Sequence, residues 1–598
     1  MATDVDIQVV GPFIGVNQTR DSREIDVREA QDALNVNLDP SSLDARLGFD
    51  SGPNAPNGQP IEGTHDYRQN DGTRIFLVKA GDQLFRLDGL VFTAIGGPDL
   101  VAGNIAQFLS LNNRVYITHG GDPKVTDGTS LFNWLITKPL NAPDLAPDGA
   151  VGDGKLNGTY DYKYVFFSSA FGQESPSSPS TNATDTLAGL EVTSTVTVDN
   201  QNVELTNFVS TLDTRVDKYR IFRRKVSAFE SDWFFVTEVD SSTTTFVDRR
   251  PDNDIDTTDI APLTFDENFP QGRFLAFNAG TMFVGGIDTE PNNIYFTQVN
   301  GKALGQFFTV DDRVTALLSF QGELVTFTQS SIWLVSGNSA NTLFPRRTIV
   351  GRGCLAPFSV VPVDNVIFFL SENGIYTYDL SRVSEVSRPV KGIWFNRNFG
   401  RDFQIVGVHD VLNSAVWWLY SNPGSTQNDT MLVYFYRNTA IHQKPSWCPW
   451  DIPGVQFCGL ITDSVTNIRE IKLGFQDGQV STYGKGSGND AGNPIAWFWE
   501  TGKQDLEAPT VKKRWTQLEA HTVPQLANND FMDVEISLDD TDVFEFIGKT
   551  QPISDSVWRS RIARRSSQLR IRWSALLNGT FRLVYWRLLA DASSRSNR

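Results

Sequence analysis

The feature that most constrains the fold is a recurring pair of short apolar runs separated by a polar or glycine-containing turn. Two adjacent copies, Gly322–Ser336 and Asn365–Asp379, are rich in valine, isoleucine, phenylalanine, tyrosine and tryptophan. Runs of this composition, bounded by glycine, asparagine or serine, predict β-hairpins. In the second copy, Asn373-Gly374 is typical of a tight hairpin turn, because it supplies the positive φ that such a turn requires.

Hairpins of this kind recur along the chain. Their first strands start near residues 74, 114, 281, 323, 365, 415 and 470. Apart from one long gap, the steps are about 40 to 55 residues, which is the period of a propeller blade. Because a blade has four strands, we expect an all-β, propeller-like body of about seven blades, or six if one hairpin is a cap. A less regular stack of sheets stays open as the alternative.

The long gap between the second and third hairpins predicts a separate unit. It opens with the proline-rich Asn141–Asp148, which indicates a linker, and continues with short strands separated by turn signals. That order favours an inserted β-sandwich. Its series of characteristic stretches is Gly158–Phe167, Glu174–Pro179, Lys218–Arg224 and Thr243–Asp248. This series resembles the fibronectin type III-like modules of phage structural proteins.

The repeats and the insertion divide the chain into five parts. They are an N-terminal arm (1–62), a first set of blades (63–140), the inserted sandwich (141–263), a second set of blades (264–504) and a C-terminal β domain (505–598).

Both ends of the chain lie outside the repeats. In the arm, Asp26–Leu34 predicts a helical turn, and we expect the arm to be ordered against another domain or another subunit. Near the C-terminus, Leu569–Trp573 alternates arginine with apolar residues, which places the arginines on one face of a strand. We interpret that face as solvated or facing another subunit, with phosphate contact as the alternative. Ala590–Arg598 is interpreted as a frayed tail.

The formal net charge of -18 argues against a chain that grips nucleic acid, for which a basic footprint is expected. Acidic charge instead keeps a protein soluble or lines a surface that must not bind nucleic acid. The charge is unevenly spread. One acidic stretch contains Asp248, Asp252, Asp254, Asp256, Asp259, Asp266 and Glu267. The C-terminal part contains Arg559, Arg561, Arg564, Arg565, Arg570, Arg572, Arg582, Arg587, Arg595 and Arg598.

Cysteines and apolar runs bear on the compartment. The irregular spacing of Cys354, Cys448 and Cys458 fits neither a disulfide framework nor a zinc site, so we expect buried, inert thiols and a reducing compartment. No apolar run approaches the roughly 20 residues that a membrane-spanning helix needs. The acidic start of the chain has no cationic and apolar regions of the kind that make a secretory signal.

A search for catalytic motifs predicts no catalytic, cofactor-binding or metal-binding residue. The histidines are His65, His119, His409, His442 and His521, and none has metal-ligand spacing. No nucleophile elbow, phosphate-binding loop or dinucleotide fingerprint is present in the sequence. We therefore expect a protein that is not an enzyme and that needs no cofactor.

Four weaker patterns are interpreted as structural. The carboxylate pairs Asp311-Asp312 and Asp539-Asp540 are typical of turns, with a glycosidase pair as the alternative. Asp127–Trp134 is a single, unrepeated approach to the Asp box of sialidase propellers. The alternating acids Asp252, Asp254 and Asp256 lack the glycine and closing glutamate of a calcium-binding loop. Gly351–Cys354 lies between strands, which indicates a connector whose backbone needs glycine.

Three stretches together point to one family. They are the arm motifs Glu29-Ala30, Asn35–Asn37 and Arg46–Phe49, the central region Gly322–Val335 followed by Val350–Phe358 and the Asn-Gly hairpin, and the arginine-rich C-terminal part. With this layout the chain is similar to the tail nozzle proteins of short-tailed bacteriophages, also called tail tubular protein B. In such nozzles a series of hairpin, Gly-x-x-Cys-x-x-Pro-Phe and hairpin recurs, and Gly351–Phe358 matches its central part. The sandwich at 143–263 departs from the family pattern.

The resemblance implies a structural protein of the virion tail, made in the host cytoplasm. Nozzle subunits form a six-fold ring below the tail adaptor, continue the DNA channel, and help to hold tail fibres or spikes. The ring retains the genome and conducts it during DNA ejection, without sequence-specific binding, as part of host cell entry. The acidic balance fits a lumen that repels phosphate. Two other classes stay open: a receptor- or glycan-binding propeller of a fibre or spike, and a polysaccharide depolymerase.

Overall fold

The structure is a computed structural model, and it confirms the all-β fold class. It describes residues 5–179, 195–226, 232–262, 270–298, 306–337, 342–463, 466–485, 488–523, 531–539, 541–550 and 557–592. Strands dominate these ranges. The two α-helices are Lys391–Phe395 and Tyr436–His442, and the 3-10 turns are Asp252–Asp254, Pro357–Ser359, Arg388–Val390 and Phe399–Gln404.

Seven antiparallel sheets, each built from consecutive strands, form the blades of a propeller. Blade 1 contains Ile61–Arg68, Arg74–Ala80, Gln83–Asp88 and Val91–Ala94, and blade 2 contains Gln107–Leu111, Arg114–Thr118, Lys124–Thr126 and Leu131–Asn133. Blade 3 contains Phe274–Asn278, Thr281–Gly285, Asn293–Gln298 and Gln306–Thr309, and blade 4 contains Val314–Phe320, Glu323–Thr328, Ser331–Ser336 and Phe344–Val350. Blade 5 contains Val361–Val363, Val366–Ser371, Gly374–Tyr378 and Val383–Glu385, and blade 6 contains Val406–Asp410, Ala415–Tyr420, Thr430–Phe435 and Trp447–Trp450. Blade 7 contains Val455–Thr462, Arg469–Phe475 and Val480–Thr482.

Each predicted hairpin is the pairing of the second and third strands of one blade. In blade 4, Leu324 pairs with Val335, and in blade 5, Phe369 pairs with Tyr376. These middle strands are buried on both faces, which explains their continuous apolar runs. In the blade 5 turn, Gly374 of the Asn373-Gly374 pair has the expected positive φ (144°). A Cβ at position 374 would lie 2.2 Å from the Ser387 hydroxyl, which excludes other residues.

The N-terminal arm completes blade 7. The backbone N–H of Val480 donates to the carbonyl of Pro53 (2.9 Å), and Asn54 forms a β-bridge with Gln479. The arm thus supplies an outer edge beside the three strands of this blade. The ring is closed at the next blade, where the backbone N–H of Thr462 donates to the Asp66 carboxylate of blade 1 (2.9 Å).

The inserted sandwich lies between blades 2 and 3. Its strands are Asp144–Asp148, Leu156–Ser168, Gln173–Glu174, Thr195–Thr206, Lys218–Lys225, Phe234–Asp240, Thr245–Asp248 and Asp256–Ile260. The long strand Thr195–Thr206 joins the two layers. Its first half pairs with Leu156–Ser168 of one layer. Its second half lies between Asp144–Asp148 and Thr245–Asp248 of the other layer and pairs with both. The Gln173 side chain fixes the sandwich to blade 2 by donating to the carbonyl of Trp134 (2.8 Å).

Both ends of the chain build a second sandwich, called here the terminal sandwich. One sheet, called the basic sheet, contains Val5–Val10, Val36–Asp39, Ser42–Ala45, Lys513–Thr522, Val557–Ser566 and Arg582–Ala592. The other sheet contains Gly15–Val16, Glu29–Leu34, Ile495–Thr501, Met532–Leu538, Glu545–Thr550 and Leu569–Leu577. The core between them holds buried tryptophans, including Trp499, Trp515, Trp573 and Trp586.

Three local expectations are wrong, each because distant pairing overrides a local pattern. The expected helical turn at Asp26–Leu34 is the strand Glu29–Leu34, in which Ala33 pairs with Trp499. The expected linker Asn141–Asp148 holds the strand Asp144–Asp148, an edge position that tolerates Pro147. The frayed tail was expected to begin at Ala590, but the last strand runs to Ala592 and Ala590 is fully buried.

Candidate functional site

The innermost strands surround a cavity of about 220 Å³. Six blades and the segment that leads into blade 5 contribute to its lining, which includes Thr64, His65, Gln107, Phe108, Phe274, Leu317, Phe358, Val406 and Phe457. Most of these side chains are apolar. A sphere of this volume is about 7.5 Å across, which is narrower than the ~12 Å major groove of DNA alone. The axis of a single propeller is therefore too narrow for a DNA duplex.

The histidines have structural partners. His119 is buried: its Nδ1 accepts from the backbone N–H of Val101 (3.0 Å), and its Nε2 donates to the carbonyl of Asp122 (3.1 Å). Burial lowers the pKa of His119 to about 4, so the ring is neutral. His65 stacks on Phe108 with 5.5 Å between ring centroids, beside the cavity. The remaining three lie elsewhere: His409 bonds the Tyr436 hydroxyl, His521 stacks on Tyr585, and His442 ends a helix.

The paired carboxylates anchor loops. Asp311 accepts hydrogen bonds from the Arg347 guanidinium (2.7 Å) and the Trp333 indole (2.9 Å), while Asp312 accepts from the Ser330 hydroxyl (2.9 Å). The two carboxylates are thus tied to different partners of blade 4. Asp539 accepts from Ser567, and Asp540 lies outside the described residues.

The other acidic patterns are also tied to local partners. Asp127 accepts hydrogen bonds from the backbone N–H groups of Thr129 and Ser130, which closes its own loop. Asp252 forms ion pairs with Arg223 (2.8 Å) and Lys225 (2.9 Å). Among the residues that the structure describes, no cluster of three or more histidines, cysteines or acids has the arrangement of a metal site.

The connector Gly351–Cys354 joins blades 4 and 5. The backbone N–H of Cys354 donates to the carbonyl of Thr328 in blade 4 (2.9 Å), and that of Leu355 donates to the carbonyl of Leu370 in blade 5 (2.9 Å). A Cβ at Gly353 would lie 2.2 Å from the Thr328 carbonyl oxygen. The thiol of Cys354 is buried and free, and burial raises its pKa to about 12. This stretch is a packing element without a reactive group.

The arginines singled out from Leu569–Trp573 pair with a carboxylate of the same chain, and the Arg572 side chain stays 35% exposed. Arg570 is buried and donates to Glu500 Oε1 (3.0 Å), and Arg572 donates to Glu500 Oε2 (2.7 Å). The alternation of the strand is as expected, but the interpretation of its arginines as solvated or facing another subunit is wrong for Arg570. The reason is that the facing strand Ile495–Thr501 carries a carboxylate at the matching position.

A basic surface lies instead on the outward face of the basic sheet, called here the basic face. Its arginines are Arg514, Arg559, Arg561, Arg565 and Arg587. Trp515, Leu518 and Ile562 of the same strands point into the core, so alternation places the arginines outside. The sequence alone does not separate these arginines from Arg570 and Arg572, because only the strand order shows which of them have carboxylate partners.

An exposed aromatic patch lies between blades 5 and 6. Phe395, Phe399 and Phe403 are 38%, 52% and 44% exposed, on a short helix and the 3-10 turn that follows it. The Arg397 guanidinium packs against the patch. It donates to the Asp402 carboxylate (2.8 Å), and its central carbon lies 4.3 Å from the centroid of the Phe399 ring. The sequence repeats do not predict this patch, because it belongs to a connection between blades and not to a hairpin.

Comparison with known proteins gives similarity of structure only. No protein-family model and no curated protein matches the chain. Its structure is similar to that of the Neurospora crassa Pan2 WD40 domain (TM-score 0.32, 9% identity, 75% of this chain and 96% of that chain). It is also similar to Saccharomyces cerevisiae Sqt1 (TM-score 0.30, 10% identity, 73% and 98%) and to AztD from Citrobacter koseri (TM-score 0.27, 9% identity, 70% and 97%). Among the described residues, no helix has the length and apolarity to cross a membrane.

Proposed function

We propose that this protein is a structural subunit of the tail nozzle of a short-tailed bacteriophage, assembled as a homo-oligomeric ring. In this role it continues the DNA channel below the tail adaptor, retains and then conducts the genome, and helps to hold tail fibres. The protein acts as a building block of the virion and not as an enzyme. The layout of arm, hairpins, glycine connector and arginine-rich end supports the proposal.

The observation that carries the proposal is the small size of the propeller's own cavity. A volume of about 220 Å³ lined mainly by apolar side chains leaves no path for DNA through one chain. A conduit built from this protein therefore needs several copies around a shared axis. A closed cyclic ring is the common way in which identical subunits enclose such an axis.

The charge of the chain fits a conduit. With a formal net charge of -18, copies arranged around a lumen repel phosphate, so that DNA slides and does not adhere. The hydrogen bonds of Asp311, Asp127 and Asp252 to their own loops support a scaffold role for these acids over a catalytic one.

One observation favours a second candidate, a receptor-binding propeller of a fibre or spike. Phe395, Phe399 and Phe403 form an exposed aromatic patch of the kind that binds proteins or sugars. The patch belongs to one blade connection and is not repeated around the described parts of the ring. It therefore fits a single docking point better than it fits a nozzle. Glycan-array binding that is lost in Phe399→Ala would favour this candidate.

The testing experiment is electron cryomicroscopy of the purified protein and of the virion, together with the assembled mass. Six copies of the 66.6 kDa chain give about 400 kDa (6 × 66.6). We expect a ring on the tail axis with a wide acidic lumen. A monomer located off the axis, or a lumen with a basic lining, contradicts the proposal, and three copies point to a spike. Cleavage of a polysaccharide by the purified protein would favour a depolymerase.

A further inference from the structure

We propose that the basic face binds the inserted sandwich of a second copy of this chain, so that copies join head to tail. The inference rests on the proposed ring-shaped assembly and identifies the two surfaces that build it. It is carried by an unpartnered sheet face, by charge complementarity within the chain, and by the placement of the two sandwiches on the propeller.

The basic face carries more positive charge than it neutralises. Arg559 donates to Glu519 (2.8 Å), and the Arg587 guanidinium lies 3.9 Å from the same carboxylate. The other three arginines, Arg514, Arg561 and Arg565, are exposed and have no ion pair with any residue that the structure describes. Three guanidinium groups without an ion pair to a described residue therefore lie together on one sheet, with the Asp591 carboxylate on the strand opposite Arg514.

Apolar and aromatic groups are interspersed with these arginines. Tyr585 stacks on His521 with 3.9 Å between ring centroids, and Val9 is 54% exposed on the neighbouring strand. Arginine and tyrosine are enriched at protein–protein interfaces, whereas lysine is depleted. The composition of this face fits a protein partner that carries carboxylates.

The arginine-rich edge of the basic sheet is distant from the propeller. The strands that touch blade 6 are those of the arm: the Trp450 indole donates to the carbonyl of Val36 (2.7 Å), and the Asn438 amide donates to that of Phe13 (3.1 Å). In the basic sheet, Val557–Ser566 is the edge strand at the opposite end from Val36–Asp39. The arginine-rich strand is thus the part of this sheet farthest from the propeller.

The inserted sandwich has the complementary charge. Residues 141–263 contain 20 acidic and 10 basic residues, a net charge of -10, whereas residues 505–598 contain 12 and 14, a net charge of +2. The end of this sandwich that is distant from blade 2 carries exposed Asp153, Asp199 and Asp254, none of which has an ion pair with a described residue. Exposed Lys155 and Arg249 lie at the same end, so three acidic residues face two basic ones and the net charge of this set is negative.

The two surfaces lie on nearly opposite sides of the ring of blades. The inserted sandwich leaves between blades 2 and 3, and the terminal sandwich is attached at blades 6 and 7. The separation is three to three and a half of seven blade steps, close to half a turn. Surfaces at opposite ends of a subunit suit a head-to-tail interface, which closes into a ring when each junction turns by the same angle.

Two other occupants fit the basic face less well. A two-fold dimer through this face would place like charges opposite each other, which is unfavourable. A nucleic acid strand would meet the carboxylates of Glu519 and Asp591 on the same face, and the chain as a whole repels polyanions. The charge distribution favours a second copy over both.

The test is a charge exchange on the full chain, with mass measured by sedimentation and ring formation by electron microscopy. One variant carries Arg514→Glu, Arg561→Glu and Arg565→Glu, and a second carries Asp153→Lys, Asp199→Lys and Asp254→Lys. We expect each to weaken assembly roughly 100-fold or more, because like charges then face each other. The chain with all six substitutions should assemble again. An equimolar mixture of the two triple variants should assemble into rings in which the two variants alternate, because both kinds of junction between unlike copies pair opposite charges.

A matched control separates the interface from net charge. Arg388→Glu, Arg437→Glu and Arg469→Glu change the charge by the same amount at exposed arginines of the blade region, and they should leave assembly unchanged. Circular dichroism spectra and melting curves establish that each variant folds.

The outcomes distinguish the inference from the function on which it rests. A wild-type chain that forms no ring, alone or on the tail, overturns the proposed function and the inference together. A wild-type ring that both triple variants still form overturns the inference alone. If the arginine substitutions leave the mass unchanged but abolish binding of a fluorescent single-stranded oligonucleotide, the basic face binds nucleic acid and the inference is wrong.

Discussion

The guanidinium of Arg46 donates hydrogen bonds to both carboxylate oxygens of Asp490, at 2.8 and 2.5 Å, across 444 residues of sequence. Arg46 is 1% exposed. It also donates to the Asn35 side chain (2.9 Å) and to the carbonyl of Asp451 (2.7 Å), which follows the last strand of blade 6. One side chain therefore holds together the arm, the propeller and the segment that leads into the terminal sandwich.

We predict that Arg46→Met destabilises the attachment of the arm by about 3–5 kcal/mol, because it leaves a largely buried carboxylate without its partner. The measurement is the melting temperature together with proteolysis of the arm. Arg582→Met is the matched control: Arg582 makes a similar bidentate pair with Asp44, but it is half exposed, so about 1 kcal/mol or less is expected. Equal effects of the two substitutions would contradict the role given to Arg46.

A second prediction concerns the connector between blades 4 and 5. Gly353→Ala places a Cβ 2.2 Å from the carbonyl oxygen of Thr328, so that the backbone must shift and the hydrogen bond to Cys354 is strained. At Gly351 the φ of 75° is unfavourable for alanine, but the space is open, so Gly351→Ala should cost about 1–2 kcal/mol. We expect the melting temperature to fall further for Gly353→Ala than for Gly351→Ala. The reverse order would show that conformation and not contact requires glycine here.

The sequence alone predicts the local parts of this fold but not the contacts between distant parts of the chain. The middle strands of every blade are local: the two strands and their turn lie within 13 to 21 residues, so pattern and turn chemistry predict them. The pairing of Val480 with Pro53 and the burial of Arg570 against Glu500 depend on contacts between distant parts of the chain. No local pattern encodes such contacts, and for this reason the arm was expected to be helical in part and the arginines solvated.

A third prediction uses the buried His119. Its Nδ1 already accepts from the backbone N–H of Val101, so protonation requires that this hydrogen bond break. Burial lowers its pKa to about 4, below the ordinary value of 6.5. Between these values the unfolded chain binds a proton that the folded chain does not, so stability is lost as the pH falls from 6.5 towards 4. The difference in melting temperature between wild type and His119→Gln should therefore shrink on acidification. A constant difference would contradict this role.

The last prediction concerns Asp32, which lies directly opposite Glu500 on adjacent antiparallel strands of the terminal sandwich. Burial, and then the negative charge of Glu500, raise the pKa of Asp32 to about 6 from 3.8. Between these values the folded chain holds a proton that the unfolded chain has lost, so this group makes stability fall as the pH rises from 4 to 6. The sign is opposite to that of His119.

We expect Asp32→Asn to raise stability at pH 7.5 by about 1 kcal/mol, a figure reduced for partial solvent screening, and to have little effect at pH 4. The measurement is the difference in melting temperature between variant and wild type at both pH values. Asp82→Asn, on an exposed turn of blade 1, is the control and should show no such pH dependence. A variant that is destabilised at pH 7.5 would mean that the Asp32 carboxylate stabilises this junction, because its hydrogen bond to the backbone N–H of Ala33 then outweighs its burial and its repulsion by Glu500.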